Sequence, residues 1–185
     1  MVPERSVALP DSSNAPETGA SAGRWYALAL LLLVADQFTK RLATSSLDYA
    51  IAEPVFSWFS LTLHHNQGAA FSFLSDAGGW QRWFFVVLAG AVSVALAYWL
   101  RDLKGRQWPL APGLALVLGG ALGNLLDRLL LGYVVDFLSV HYRGWYFPTF
   151  NLADAAISVG AALVILDSLR PESVQENDEK TDPAD

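Results

Sequence analysis

Residues 110–137 read LAPGLALVLGGALGNLLDRLLLGYVVDF, and this stretch decides the fold. From 109 to 130 it is apolar over about the 20 residues that a bilayer-spanning helix requires. Within the run, Gly113, Gly120, Asn124, Asp127 and Arg128 recur at helical spacing, and Gly119 with Gly123 forms a small-xxx-small pair. The pattern predicts one small, polar face turned into a helix bundle. Asn124, Asp127 and Arg128 stand at i, i+3 and i+4 and are expected to cluster by hydrogen bonds at the outer helix end. Interhelical glue plus a snorkelling arginine is the plainer alternative. Asp136 follows in Val134-Val135-Asp136-Phe137, an apolar setting in which a carboxyl can keep a proton.

Three further apolar runs, 24–43, 80–100 and 152–169, complete an expected all-α membrane fold, a bundle of four transmembrane helices. The chain has 185 residues, 53% of them hydrophobic, and its apolar residues fall in blocks. Residues 1–23, rich in Pro, Ser, Ala and Gly, and 171–185, with six acids against Lys180 alone, show no core-forming pattern. Both are expected to be disordered cytoplasmic extensions of one membrane domain, 24–170. That domain carries ten Lys or Arg and nine Asp or Glu, which leaves no basic surface for nucleic acid. The absence of cysteine excludes disulfides, thiolate nucleophiles and cysteine-ligated metals. The first run is interrupted by Asp36 and Gln37, and a cleaved signal peptide is its rival reading. The lack of a small-x-small cleavage site and the continuation from Phe38 to Ala43 favour a retained helix, on which Asp36 and Lys40 pair near the outer interface.

Arg101, Lys104 and Arg106 crowd the loop between the second and third runs, while Arg24 and Arg170 flank the first and last. This places both termini in the cytoplasm, with Lys40, Arg41, Arg82, Arg128 and Arg143 as a counterweight on the other side. Two segments then face outward. From Val55 to His64, Phe59, Leu61 and Leu63 alternate with Ser60, Thr62 and His64, the period of a half-buried strand. Asn66-Gln67-Gly68 supplies a turn, and Ala69 to Leu74 reads as a short interfacial helix. The second segment, Tyr133 to Pro148, holds Tyr133, Trp145 and Tyr146, aromatics suited to the headgroup level. Both segments are therefore read as lying on the membrane surface.

Asp154 lies in the first turn of the fourth run, three residues after Asn151. That spacing fits an N-cap with an acid at the third position, and a helix N-terminus favours an ionised acid. Ser158, Ala161 and Ala162 continue its face as a small-residue stripe. Brought beside Asp136, its carboxyl would share one proton, as in an aspartic peptidase; two separately solvated loop and cap acids are the structural alternative. A proton-coupled transporter is the competing function, but it calls for acids near the bilayer midplane and for internal repeats, and these acids cluster at one edge. A scaffold without activity leaves the pair unexplained. His64 and His65 point to opposite faces of a strand and find no third ligand, so no metal site is expected. No Gly-x-Ser-x-Gly pattern marks a serine nucleophile.

Five blocks taken in order carry a family resemblance: Asp36-Gln37-Phe38-Thr39-Lys40; Asn66-Gln67-Gly68-Ala69-Ala70-Phe71; Gly119 through Arg128; Val135-Asp136-Phe137; and Phe150-Asn151-Leu152-Ala153-Asp154. Over 24–170 the chain resembles the bacterial lipoprotein (type II) signal peptidases. The resemblance implies a multi-pass inner-membrane aspartic endopeptidase with its site on the extracytoplasmic face. It implies removal of the signal peptide from prolipoproteins whose cysteine bears a diacylglyceryl group. It also implies a small extracytoplasmic β-structured cradle within 45–75. By position, Asp136 and Asp154 match the catalytic pair. Asn66, Gly68, Asn124, Arg128 and Asn151 match residues that line and order the site, and Asp36 with Lys40 matches a supporting pair. Neither cofactor nor metal is implied; the expected partners are lipid-modified prolipoproteins and membrane lipids, and the expected state is a monomer.

Overall fold

A computed structural model describes residues 18–68, 79–103 and 109–170. Among them are four helices, α1 (Thr18–Ser46), α2 (Trp80–Asp102), α3 (Leu110–Leu130) and α4 (Leu152–Ser168). Four strands accompany them, β1 (Ala52–Phe56), β2 (Phe59–Asn66), β3 (Val134–Tyr142) and β4 (Trp145–Tyr146). The helix boundaries follow the apolar runs closely, except that α1 begins at Thr18, ahead of the expected Arg24. The expected interfacial helix 69–74, the loop residues Lys104 and Arg106, and the tail 171–185 lie outside the described residues.

The sheet departs from the sequence reading. The expected single strand 55–64 is a hairpin, β1 and β2 joined by a turn at Ser57-Trp58, with Glu53 opposite Leu61. The second outward segment, read as a surface loop, supplies β3 and β4, and the sheet order is β1-β2-β3-β4, antiparallel throughout. The cradle therefore draws half its strands from beyond 45–75. The run Val134-Val135-Asp136-Phe137-Leu138 is buried nearly throughout, so it lacks the alternation that marks a half-solvated strand. Its pairing sets His65 against Val135 and His64 against Asp136.

α3 forms the centre of the bundle and packs on α1, α2 and α4. Its glycines divide between two faces, where the sequence reading had placed them on one. A Cβ on Gly113 would meet the Gly160 carbonyl of α4 at 2.9 Å, and one on Gly119 would meet the Ala29 carbonyl of α1 at 2.6 Å. Only hydrogen fits at such backbone approaches. Polarity is inverted relative to a water-soluble core. Asp36, Lys40, Asn124, Asp127, Asp136 and Asn151 are buried, while Leu30, Leu31, Val34 and Phe38 of α1 and Val87, Leu88, Val94 and Trp99 of α2 are exposed. α2 and α3 are long and apolar enough to cross a membrane. α2 carries its apolar residues outward, which suits a lipid surround.

Candidate active site

At one end of the bundle, α1, α3, α4 and the sheet converge, and the residues singled out from sequence meet there. Asp136 is 1% exposed on β3. Its Oδ1 accepts from Asn151 Nδ2 at 2.7 Å and its Oδ2 from Asn66 Nδ2 at 3.0 Å. Burial, reinforced by the neighbouring Asp154 charge, pushes its carboxyl up from 3.8 to about 7, against the pull of the two amides and Lys40.

Asp154 sits in the first turn of α4 inside a capping box. Its backbone N–H donates to Asn151 Oδ1 at 2.9 Å, and its Oδ2 accepts from the Asn151 N–H at 3.3 Å. Its Oδ1 accepts from Asn124 Nδ2 at 2.7 Å. Asn151, wholly buried, thus caps the helix and bridges the two aspartates; capping and site-building are one role.

Each amide in this network has one possible orientation. Asn151 Oδ1 is taken by the Asp154 N–H, and Asn66 Oδ1 by the Gly68 N–H at 3.1 Å. Asn124 Oδ1 is taken by Lys40 Nζ at 2.9 Å. A backbone N–H and an ammonium only donate, so the oxygen must face them and each Nδ2 is left to face a carboxylate.

Behind the pair lies a buried ion cluster. Lys40 Nζ stands 2.9 Å from both Asp36 Oδ2 and Asp127 Oδ2. The expected Asp36–Lys40 pair is therefore present, but 0% and 3% exposed, in the bundle interior and not at an interface. Asp36 Oδ1 accepts from the Ala153 N–H at 3.0 Å, so a residue of α1 helps to cap α4. Asp127 Oδ2 accepts from the Val135 N–H at 3.1 Å and so holds the strand immediately before Asp136.

Arg128 is not a snorkelling side chain. Its Nη2 donates to the Gly68 carbonyl at 3.0 Å and its Nη1 to the Asn124 carbonyl at 3.3 Å, while the guanidinium lies 5.0 Å from the Phe85 ring centroid. The expected cluster of Asn124, Asp127 and Arg128 is therefore joined through Lys40, which meets both Asn124 and Asp127, while Arg128 turns to the Gly68 and Asn124 carbonyls. Sequence reasoning missed Gln37, whose Nε2 donates to Asp127 Oδ1 at 2.8 Å. Its place beside Asp36, one turn before Lys40, was the available signal. Arg82 was missed as well; it donates to the Arg128 and Leu129 carbonyls, each at 2.8 Å, and ties α2 to the end of α3. His65 stacks on Tyr133 with centroids 4.1 Å apart, and burial moves its imidazole below 6.5. His64 lies edge-on to Tyr49.

Residues 28–170 match the family profile described as signal peptidase (SPase) II. The chain belongs to the signal peptidase II family. Relatives of this protease family include the lipoprotein signal peptidase of Teredinibacter turnerae, 56% identical over 149 residues that cover 80% of this chain and 89% of that one. That of Acinetobacter baylyi is 47% identical over 160 residues, 85% of this chain and 89% of that one. Among solved structures, a bacterial membrane enzyme obtained by the in meso method superimposes with a TM-score of 0.71 at 30% identity, covering 80% of this chain and 88% of the other. The four-helix, small-sheet architecture is thus shared with a bacterial membrane enzyme.

Proposed function

We propose that this chain is an intramembrane aspartic endopeptidase that removes the signal peptide from diacylglyceryl-modified prolipoproteins by cutting before the lipidated cysteine. Asp136 and Asp154 are its catalytic pair. The observation that carries this reading is the convergence of both carboxyls on Asn151, with Asp136 held at about 7 by burial and by Asp154. Two acids of unequal environment that share a proton can act as base and acid at neutral pH. The ionised carboxylate takes a proton from a water lying between the pair, and that water attacks the scissile carbonyl. The protonated carboxyl gives its proton to the carbonyl oxygen. As the C–N bond breaks, the amine takes the proton gained from water, and the gem-diol returns a proton to the other carboxylate as it becomes the new carboxyl group. This chemistry calls for no metal and no cofactor.

All four helices span the inner membrane in this reading, with both termini cytoplasmic and the site at the extracytoplasmic face, where an exported substrate presents its cysteine. The exposed Phe56 and Trp58 of the β1–β2 hairpin and Trp145 and Tyr146 of β4 support placing the sheet at the lipid headgroups. A monomer suffices for this reading, since Asn66, Asn124, Asn151 and both aspartates connect within one chain. Purified protein should cleave a diacylglyceryl prolipoprotein peptide and leave the same peptide without its lipid intact. Equal cleavage of both would refute lipid-dependent recognition, and cleavage of neither would refute the peptidase assignment.

A further inference from the structure

Two of the three amides facing the aspartates, Asn66 and Asn151, are oriented by backbone N–H groups. The third, Asn124, is oriented by a side chain, Lys40 on α1. We infer that Lys40 is a positioning residue: by donating to Asn124 Oδ1 it locks the amide with Nδ2 toward Asp154, making Asp154 the carboxylate that carries the charge while Asp136 keeps the proton. This rests on the Asp136–Asp154 pair being catalytic.

An unrestrained amide serves either protonation state, since it can donate to a carboxylate or turn over and accept from a carboxylic acid. Lys40 removes the second choice. If Asn124 turned over, its Nδ2 would face the ammonium at 2.9 Å, donor against donor. Asn151 Nδ2 also approaches Asn124 Oδ1, but at 3.3 Å, and it has better acceptors in Asp136 Oδ1 at 2.7 Å and the Val135 carbonyl at 3.2 Å. Lys40 itself is fixed between Asp36 and Asp127, so its donation to Asn124 is directed.

The charged groups that act on the pair are Arg128 on α3, beside both Asp154 and Asp136, and Lys40 on α1, which acts on Asp136 and is itself paired with Asp36 and Asp127. Among the described residues, Asn124, the Asn151 N–H and the α4 N-terminus address Asp154 directly by hydrogen bond or dipole, and all three favour its charge. Asp136 lacks a helix N-terminus and is the more deeply buried, in keeping with its carboxyl near neutrality. Asp154 is then the base toward water, and Asp136 the acid toward the carbonyl oxygen.

The test is the pH profile of kcat/KM on a diacylglyceryl prolipoprotein peptide. Asn124→Asp keeps the size and the partnership with Lys40 but sets an acceptor against Asp154. The acid limb should move to higher pH by about one unit or more. Lys40→Met combined with Asp127→Asn removes one cation and one anion together and frees the Asn124 amide, so it should move the limb the same way. A packing role alone would lower the rate equally at every pH, and an unmoved acid limb in folded Asn124→Asp protein overturns the inference. Should the double variant fail to fold, Lys40→Arg takes its place: it keeps the charge but cannot meet Asp36, Asp127 and Asn124 from one nitrogen, so the acid limb should again move up, and an unmoved limb overturns the inference. Cleavage retained by Asp136→Asn would instead remove the catalytic pair itself, a different failure.

Discussion

Gly120→Ala adds one methyl group where α3 meets the first turn of α4. The new Cβ would lie 2.5 Å from the Ala153 carbonyl oxygen and 2.8 Å from Ile157 Cγ1. A carbon–oxygen contact relaxes to about 3.3 Å, so α4 must retreat by roughly 0.8 Å beside Asp154. The Asn124–Asp154 hydrogen bond, 2.7 Å long, then stretches toward ~3.5 Å, beyond useful range. Overpacking of this kind costs about 1–3 kcal/mol of stability. A misplacement near 1 Å at reacting groups costs on the order of a hundredfold in rate, so kcat/KM should fall about ten- to a hundredfold. Gly90→Ala on α2 is the control: nothing lies within 4 Å of its Cβ. It should preserve cleavage and add about 0.5–1 kcal/mol. Both variants would be compared with the parent in detergent by single-turnover cleavage of a lipidated peptide and by thermal unfolding. Parental rate and unfolding temperature for Gly120→Ala would refute the idea that close α3–α4 approach places Asp154.

The folded protein binds the Asp136 proton more tightly than the unfolded chain does, from 3.8 up to about 7, so the stability contributed by this group is fullest below about pH 4 and is lost as pH rises through 7. Asp136→Asn, neutral throughout, should therefore unfold at a higher temperature than the parent at about pH 8 and at a similar one near pH 4; a gap that widens on acidification would contradict the burial argument. Arg128→Lys keeps the charge but cannot reach the Gly68 and Asn124 carbonyls as a fork, and it should lose most turnover while remaining folded; parental rates would leave Arg128 a simple charge. Asn151→Asp retains an N-cap oxygen but turns an acceptor toward Asp136 at a fully buried position, so cleavage should collapse and the unfolding temperature should fall; parental cleavage would make Asn151 a cap alone.

The helices were legible because apolar length and small-residue spacing are local. Asp136 and Asp154 stood out because a carboxyl in an apolar setting is costly wherever the chain places it. The second half of the sheet was not legible, since β3 is buried on both faces and its aromatic neighbours resemble a membrane-surface loop. Gln37, Arg82 and the inner position of Asp36–Lys40 were hidden for another reason: their partners stand far along the chain, Gln37 meeting Asp127 across 90 residues. No spacing rule reports a contact of that range. The Arg128 alternatives were visible in sequence, but only the Gly68 carbonyl chooses between them.

The most direct test is single-turnover cleavage of a diacylglyceryl prolipoprotein peptide by purified parent, Asp136→Asn and Asp154→Asn, each with and without a chelator. Asp48→Asn, outside the site network, serves as the control. A shared-proton pair requires that both dyad variants lose cleavage entirely while staying folded, that Asp48→Asn keep it, and that chelation change nothing. Substantial cleavage by either dyad variant, or restoration of a chelated parent by added metal, would contradict it.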